Sequence, residues 1–136
     1  MIDPSAELQV AIIAAFKTYS PLKDLIDDKV FDGIPGKDKA KKPYVQLGQP
    51  QVLPDKADCI DGAEVHITVH GWAEGPQSLE IKKIGKAIAA ALDEQELPLE
   101  GHRMVVCLHE QTDYVPDPDG ITQHVAVTFL IRTEPT

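Results

Sequence analysis

The side chains with the most chemistry to offer in this 136-residue chain are five histidines, 22 carboxylates and two cysteines. His66 and His70 are four apart in an alternating segment, so they project from one side of one strand about 13 Å apart. Nitrogens that share a zinc ion each stand about 2.0 Å from it, so these two cannot form a site by themselves. No HxH or HExxH spacing occurs. A metal site requires His66 or His70 to be joined by His109 or His124 from neighbouring strands; otherwise the histidines belong to a solvent-facing or interface surface.

The other constellations are weaker. Gly33-Ile34-Pro35-Gly36-Lys37 has the composition of a phosphate loop but not the GxxxxGK[ST] spacing, and no helix starts after Lys37. Lys37, Lys39, Lys41 and Lys42 could touch a phosphate or an acidic partner, although an exposed lysine loop is commonly just solvated. Asp113, Asp117 and Asp119 lack the twelve-residue calcium register, and Asp117-Pro118-Asp119-Gly120 is sufficiently described as a tight turn. Nothing marks any two of the carboxylates as an acid and base pair. The three serines, Ser5, Ser20 and Ser78, all fall at predicted helix starts, where a hydroxyl can cap backbone amides. Cys107, within Val105-Val106-Cys107-Leu108, reads as a small buried hydrophobe.

The elements that must position these residues follow from periodicity. Asp3 and Pro4 open a helix over residues 4–19, with Leu8, Ile12, Ala15, Phe16 and Tyr19 on one stripe. Val10, Ile13 and Ala14 add apolar surface beyond it, and Glu7 and Lys17 are the only charges, so two sides of this helix require cover. A neighbouring subunit could provide the second cover, and so could the domain's own sheet and loops. Ser20-Pro21 begins a short helical turn through Leu22, Leu25 and Ile26, and residues 29–32 read as a brief strand. Polar loops are expected at residues 33–42 and 54–61, with a strand over residues 44–49 between them.

Residues 62–72 alternate cleanly, Val65, Ile67 and Val69 against Glu64, His66, Thr68 and His70. Gly75-Pro76 breaks that strand and starts a second helix carrying Ile81, Ile84, Ile88, Ala91 and Leu92, which ends before Pro98. Residues 103–115 and 121–133 form a hairpin around the turn at 116–120, and residues 134–136 read as a frayed tail. The expectation is one α+β domain over residues 1–136, with a mainly antiparallel sheet of about four strands. It has an N-terminal helix and one helix between strand pairs, in the order α-β-β-β-α-β-β with a very short first strand.

Bulk properties exclude several function classes. A net charge of −9 opposes wrapping of duplex nucleic acid, whose affinity rests on Lys and Arg, but is compatible with a lumen through which DNA slides without sticking. Cys59 and Cys107 form no CxxC pair, so neither a zinc ribbon nor a redox motif is signalled, and two free thiols fit a reducing cytoplasm. The first residues lack a signal peptide's basic and apolar regions, and no apolar run nears 18 residues, so neither export by that route nor a membrane span is expected.

Several local phrases sit along this order of elements. They are Leu8-Gln9 opening an apolar helix, Val30-Phe31-Asp32 before a loop, and Pro43-Tyr44-Val45-Gln46-Leu47-Gly48. Residues 62–72 running into the second helix follow, then Asp117-Pro118-Asp119-Gly120 and His124-Val125-Ala126-Val127-Thr128-Phe129. In these the chain resembles the tail completion or tail terminator family of long-tailed bacteriophages, the gp17-like group, over about residues 5–133. The resemblance implies a structural subunit of a homo-oligomeric ring, usually hexameric, that caps the tail tube and helps join tail to head. It implies no catalysis and no cofactor. Its partners would be copies of itself, the tail tube protein and head-tail connector proteins, in the virion tail after assembly in the host cytoplasm. DNA would pass through the ring without specific binding.

A ring needs apolar flanks and polar loops. On that reading Val10, Ile13, Ala14 and Lys17 are candidates for the subunit contact. Lys37, Lys39, Lys41 and Lys42, with Asp55, Lys56 and Asp58, are candidates for partner-contacting loops. The competing expectations are a metal-dependent hydrolase using sheet histidines and carboxylates, and a small monomeric binding domain.

Overall fold

The computed structural model describes residues 1–35 and 41–136. In chain order it has α1 (Ser5–Thr18), α2 (Ser20–Ile26), β1 (Val30–Phe31), β2 (Tyr44–Leu47), β3 (Gln51–Ala57), β4 (Ile60–Glu74), α3 (Leu79–Leu92), β5 (His102–Pro116) and β6 (Thr122–Pro135). Among the described residues no helix is long and apolar enough to cross a membrane. The α+β class and the mostly antiparallel sheet are as expected, but the sheet has six strands rather than about four.

The sheet runs β1-β2-β4-β6-β5, and β3 also pairs with β4. β2 and β3 occupy the same edge of β4 one after the other: β2 pairs with Val69 to Trp72, β3 with Ile60 to His66. β4 and β6 form the spine, paired from Ala63↔Thr133 to Glu74↔Thr122. Among the described residues the only parallel pair is β1 with β2.

The added strand corrects the loop expected at residues 54–61. Asp55 and Lys56 lie in β3, and Asp58 is in the two-residue turn to β4, where its φ of 51° is left-handed. Pro54 lacks an N–H and so weakens a strand reading, yet β3 is an edge strand, where a proline is tolerated. Its side chains are almost all exposed, which leaves no apolar alternation to detect. β6 likewise continues to Pro135, opposite His102, and Arg103 Nη2 stands 2.6 Å from Glu134 Oε2, so those residues are paired and not a frayed tail.

The helices cover one face of the sheet. Val65, Ile67 and Val69 from β4 and Val125, Val127, Phe129 and Ile131 from β6 are buried against α1 and α3. Each such large apolar side chain contributes about 1.5–3 kcal/mol by leaving water. In β5 the inward side chains Met104 and Cys107 are three apart instead of two, because a bulge at Val105 resets the alternation. None of the three helix starts carries a side-chain capping bond. The serine hydroxyls therefore do not cap as expected; at α1 it is Asp3 Oδ1 that accepts from the Ser5 amide at 2.8 Å.

Candidate functional site

The first helix divides its surface as its sequence suggests. Leu8, Ile12 and Phe16 face the sheet and are buried, while Val10 is 71% exposed. Ala14 and Lys17 are exposed beside it, and Ile13 is half-buried against the core. Val10 and Ala14 line a groove of about 760 Å³ whose opposite wall is Ala91, Leu97, Pro98 and Glu100. Ala6, Ala11, Ala15 and Tyr19 line it as well. The small side chains follow from helical spacing, which sets residues four apart on one stripe and leaves a shallow trough wherever they are alanines. The far wall was not legible in the sequence, because residues 97–100 form no periodic element. Glu7 Oε2 is enclosed beside the groove without a hydrogen-bond partner among the described residues.

The loop candidates separate. Lys37 and Lys39 lie outside the described residues. Lys42 is tied to Glu74 at 3.2 Å, and Lys41 is exposed and contributes its carbonyl to Lys29 Nζ at 3.1 Å. Asp55, Lys56 and Asp58 project from the β3–β4 hairpin, where Lys56 Nζ is 3.9 Å from Asp61 and Asp55 is 3.7 Å from Arg132. They therefore occupy an arm of defined geometry and not a loop.

The open face of the sheet carries His66, His70 and His124, whereas His109 lies opposite the buried Phe129 on the helix side and His102 is buried. His66 lies between two carboxylates, Nε2 3.4 Å from Glu64 and Nδ1 3.5 Å from Glu110. His109 Nε2 bonds Thr112 Oγ1 at 2.6 Å, and its amide donates to Asp93 Oδ1. His70 and His124 meet, Nδ1 to Nε2 at 2.8 Å. The Trp72 ring stacks on His124 with centroids 4.0 Å apart and planes at 4°. Burial lowers the pKa of both imidazoles, and Asp117 pulls that of His124 partly back. No cluster of three or more His, Cys, Asp or Glu able to hold a metal ion is found among the described residues.

Cys107 is buried, and desolvation aided by Asp93 pushes its thiol up to about 12; Cys59 is exposed at the β3–β4 turn. The Asp117–Gly120 turn is closed by its own side chains: Asp119 Oδ1 accepts from the amides of Ile121 and Thr122 at 2.8 and 2.7 Å. These acids are committed to the turn, as the spacing suggested.

The family model of tail completion protein gp17 matches residues 10–134. The chain belongs to the tail completion gp17 family. It is thus a structural phage tail protein and not an enzyme, which removes the hydrolase expectation. The fold is that of a chain in the virion of a native gene transfer agent particle, with a TM-score of 0.88 at 20% identity over 98% of this chain and 99% of that one. It is also similar to the gp17 protein of bacteriophage SPP1, with a TM-score of 0.63 at 24% identity over 93% and 88% of the two chains. No curated protein matches. For a tail completion protein the surface to explain is an assembly surface, and the α1 groove offers an apolar one.

Proposed function

We propose that this tail completion protein caps the finished tail tube as a ring-shaped, hexameric homo-oligomer and helps join tail to head. The observation that carries the reading is Val10, 71% exposed on a helix whose other side is fully committed to the core. An apolar side chain over an alanine-lined groove is stabilised by cover, and in a ring that cover comes from the next copy. Val10, Ala14 and Lys17, with the exposed rim of Ile13, form the contact on this side.

Partners above and below the ring require polar, projecting surfaces. The β3–β4 arm with Asp55, Lys56 and Asp58 provides one, and the segment that includes Lys41 and Lys42 provides another. These would meet the tail tube protein and the head-tail connector proteins in the virion tail, after assembly in the host cytoplasm. A fold shared with a chain of a virion particle supports that setting. The charge of −9 suits an opening that DNA crosses, since repulsion keeps phosphates from binding.

The test is molar mass by light scattering across a concentration series, with negative-stain imaging of the free protein and of tails assembled with it. Rings in solution or on tail ends support the reading. A protein monomeric at every concentration and absent from tail ends rejects it.

A further inference from the structure

The groove side of α1 carries a seam of its own. Glu7, Val10, Ala14 and Lys17 are spaced three, four and three residues apart, the spacing that keeps side chains in line along one helix facing a second. About its midpoint at Ile12 the series is balanced, with an acid and a base at the ends and two apolar residues between. Laid antiparallel on its own copy about that midpoint, α1 sets Glu7 against the second copy's Lys17 at both ends, and each Val10 against the other Ala14. We propose that before it reaches a tail this protein is held as an antiparallel dimer through α1, the groove of each copy taking the first helix of the other. The inference rests on the ring reading, because it uses the same side of α1 and says what covers that side until a tail end is available.

The charges select both the occupant and its direction. Among the described residues neither Glu7 nor Lys17 forms an ion pair, and Glu7, which lines the groove, has an enclosed Oε2 with no hydrogen-bond partner. A lysine brought by a second copy supplies the missing donor. A parallel pairing would instead set Glu7 beside Glu7 and Lys17 beside Lys17, which like-charge repulsion opposes. Between the ends, Val10 is 71% exposed and Ala14 is exposed, and a valine facing an alanine lets two helix axes approach to about 8–10 Å. Leu97 and Pro98 of each groove then flank the incoming helix. The seam from Glu7 to Lys17 is only about 15 Å long, so the contact is small and reversible. It is also isologous, whereas a ring contact joins two different surfaces, so one α1 cannot serve both at once. The dimer therefore withholds the ring contact until a tail end competes for it.

Disulfide trapping tests the register on the full chain carrying Cys59→Ser, which leaves only the buried Cys107. Val10→Cys and Ala14→Cys change exposed positions and should fold as the parent does. Under mild oxidation the two variants mixed should give a covalent dimer, because residues 10 and 14 of opposite copies face each other. Neither variant alone should do so, since like positions are then displaced by four residues, about 6 Å along the axis, and lie beyond disulfide reach. In the unsubstituted chain Glu7→Lys should weaken the dimer by about tenfold or more, and adding Lys17→Glu should restore it, both read by sedimentation equilibrium. The oxidised dimer should fail to cap tails until it is reduced. No link in the mixture, an equal link in either variant alone, no rescue by the charge swap, or capping by the oxidised dimer overturns the proposal. The ring is judged separately, on tail ends imaged with the unsubstituted protein. Rings there beside a failed cross-link discard the dimer alone, and bare ends beside a formed cross-link discard the ring.

Discussion

Gly71 and Val125 stand opposite one another across the β4–β6 pair, and the place where a Gly71 side chain would begin is already filled. A Cβ there would lie 2.8 Å from Val125 Cγ1, 2.9 Å from Ile84 Cγ2 and 3.3 Å from Ile88 Cδ1. The glycine is what allows α3 to rest on the strand. All three neighbours are buried or rooted in the core, so none can move aside freely. Gly71→Ala should therefore destabilise the fold by about 1–3 kcal/mol through overpacking. Urea unfolding followed by Trp72 fluorescence measures it, and an unchanged midpoint would show that α3 repacks at little cost.

The subunit contact is tested by charge on its exposed side alone. Val10→Asp with Ala14→Glu touches only exposed positions, so the folded subunit should lose no more than about 0.5 kcal/mol. Oligomer mass or incorporation into tails should nonetheless fall sharply. Ile13 is left alone because it is half-buried against the core, and a charge there would confuse assembly with folding. Unchanged assembly in a folded double variant would move the interface to another surface.

Acid should weaken the fold through His70 and His124. Both have folded-state pKa values below the ordinary 6.5 because burial disfavours their charged forms. The unfolded chain thus binds more protons as pH falls below about 6.5, and stability falls with it until the folded-state values are passed. Above 6.5 this contribution is fully present. The depressed carboxylates Asp3, Asp61, Glu64 and Asp119 act only at more acidic pH, below about their ordinary 3.8 to 4.5. Thermal unfolding at pH 7.5, 6.5 and 5.5 should show a decline that a His70→Gln, His124→Gln double variant lacks.

Only one of the two thiols should react in the native state. Cys59 is exposed, while Cys107 is buried with its pKa pushed up to about 12. A thiol-specific chromogenic reagent at pH 8 should titrate one equivalent rapidly and the second only in guanidinium chloride. Rapid release of two equivalents without denaturant would indicate that β5 opens readily.

Periodicity made the central architecture legible. Val65, Ile67 and Val69 mark the inner face of β4, and Ile81, Ile84 and Ile88 mark the inner stripe of α3, because burial on one side leaves a repeat of two or about four in the residues themselves. β3 was hidden because an exposed edge strand has no buried face to advertise, and Pro54 and Asp58 carry turn signals. The alternation of β5 was blurred by its two register shifts, between Met104 and Val106 and between His109 and Gln111. For the candidate site, the surplus apolar character of Val10 was visible, but the wall at Leu97 and Pro98 was not. The meeting of His70 with His124 depends on strand register, which no local spacing encodes; the sequence allowed it only as one of several cross-strand pairings.

Because helices cover only one side of the sheet, β4 is in effect two interleaved messages. At residues 63 to 73 the odd positions answer to the protein's own interior, and the even ones, Glu64 to Trp72, answer to whatever stands outside it. A saturation scan of this strand read in assembled particles should therefore oscillate with a period of two. Any even position as intolerant as its odd neighbours would then mark the footprint of an adjoining virion component.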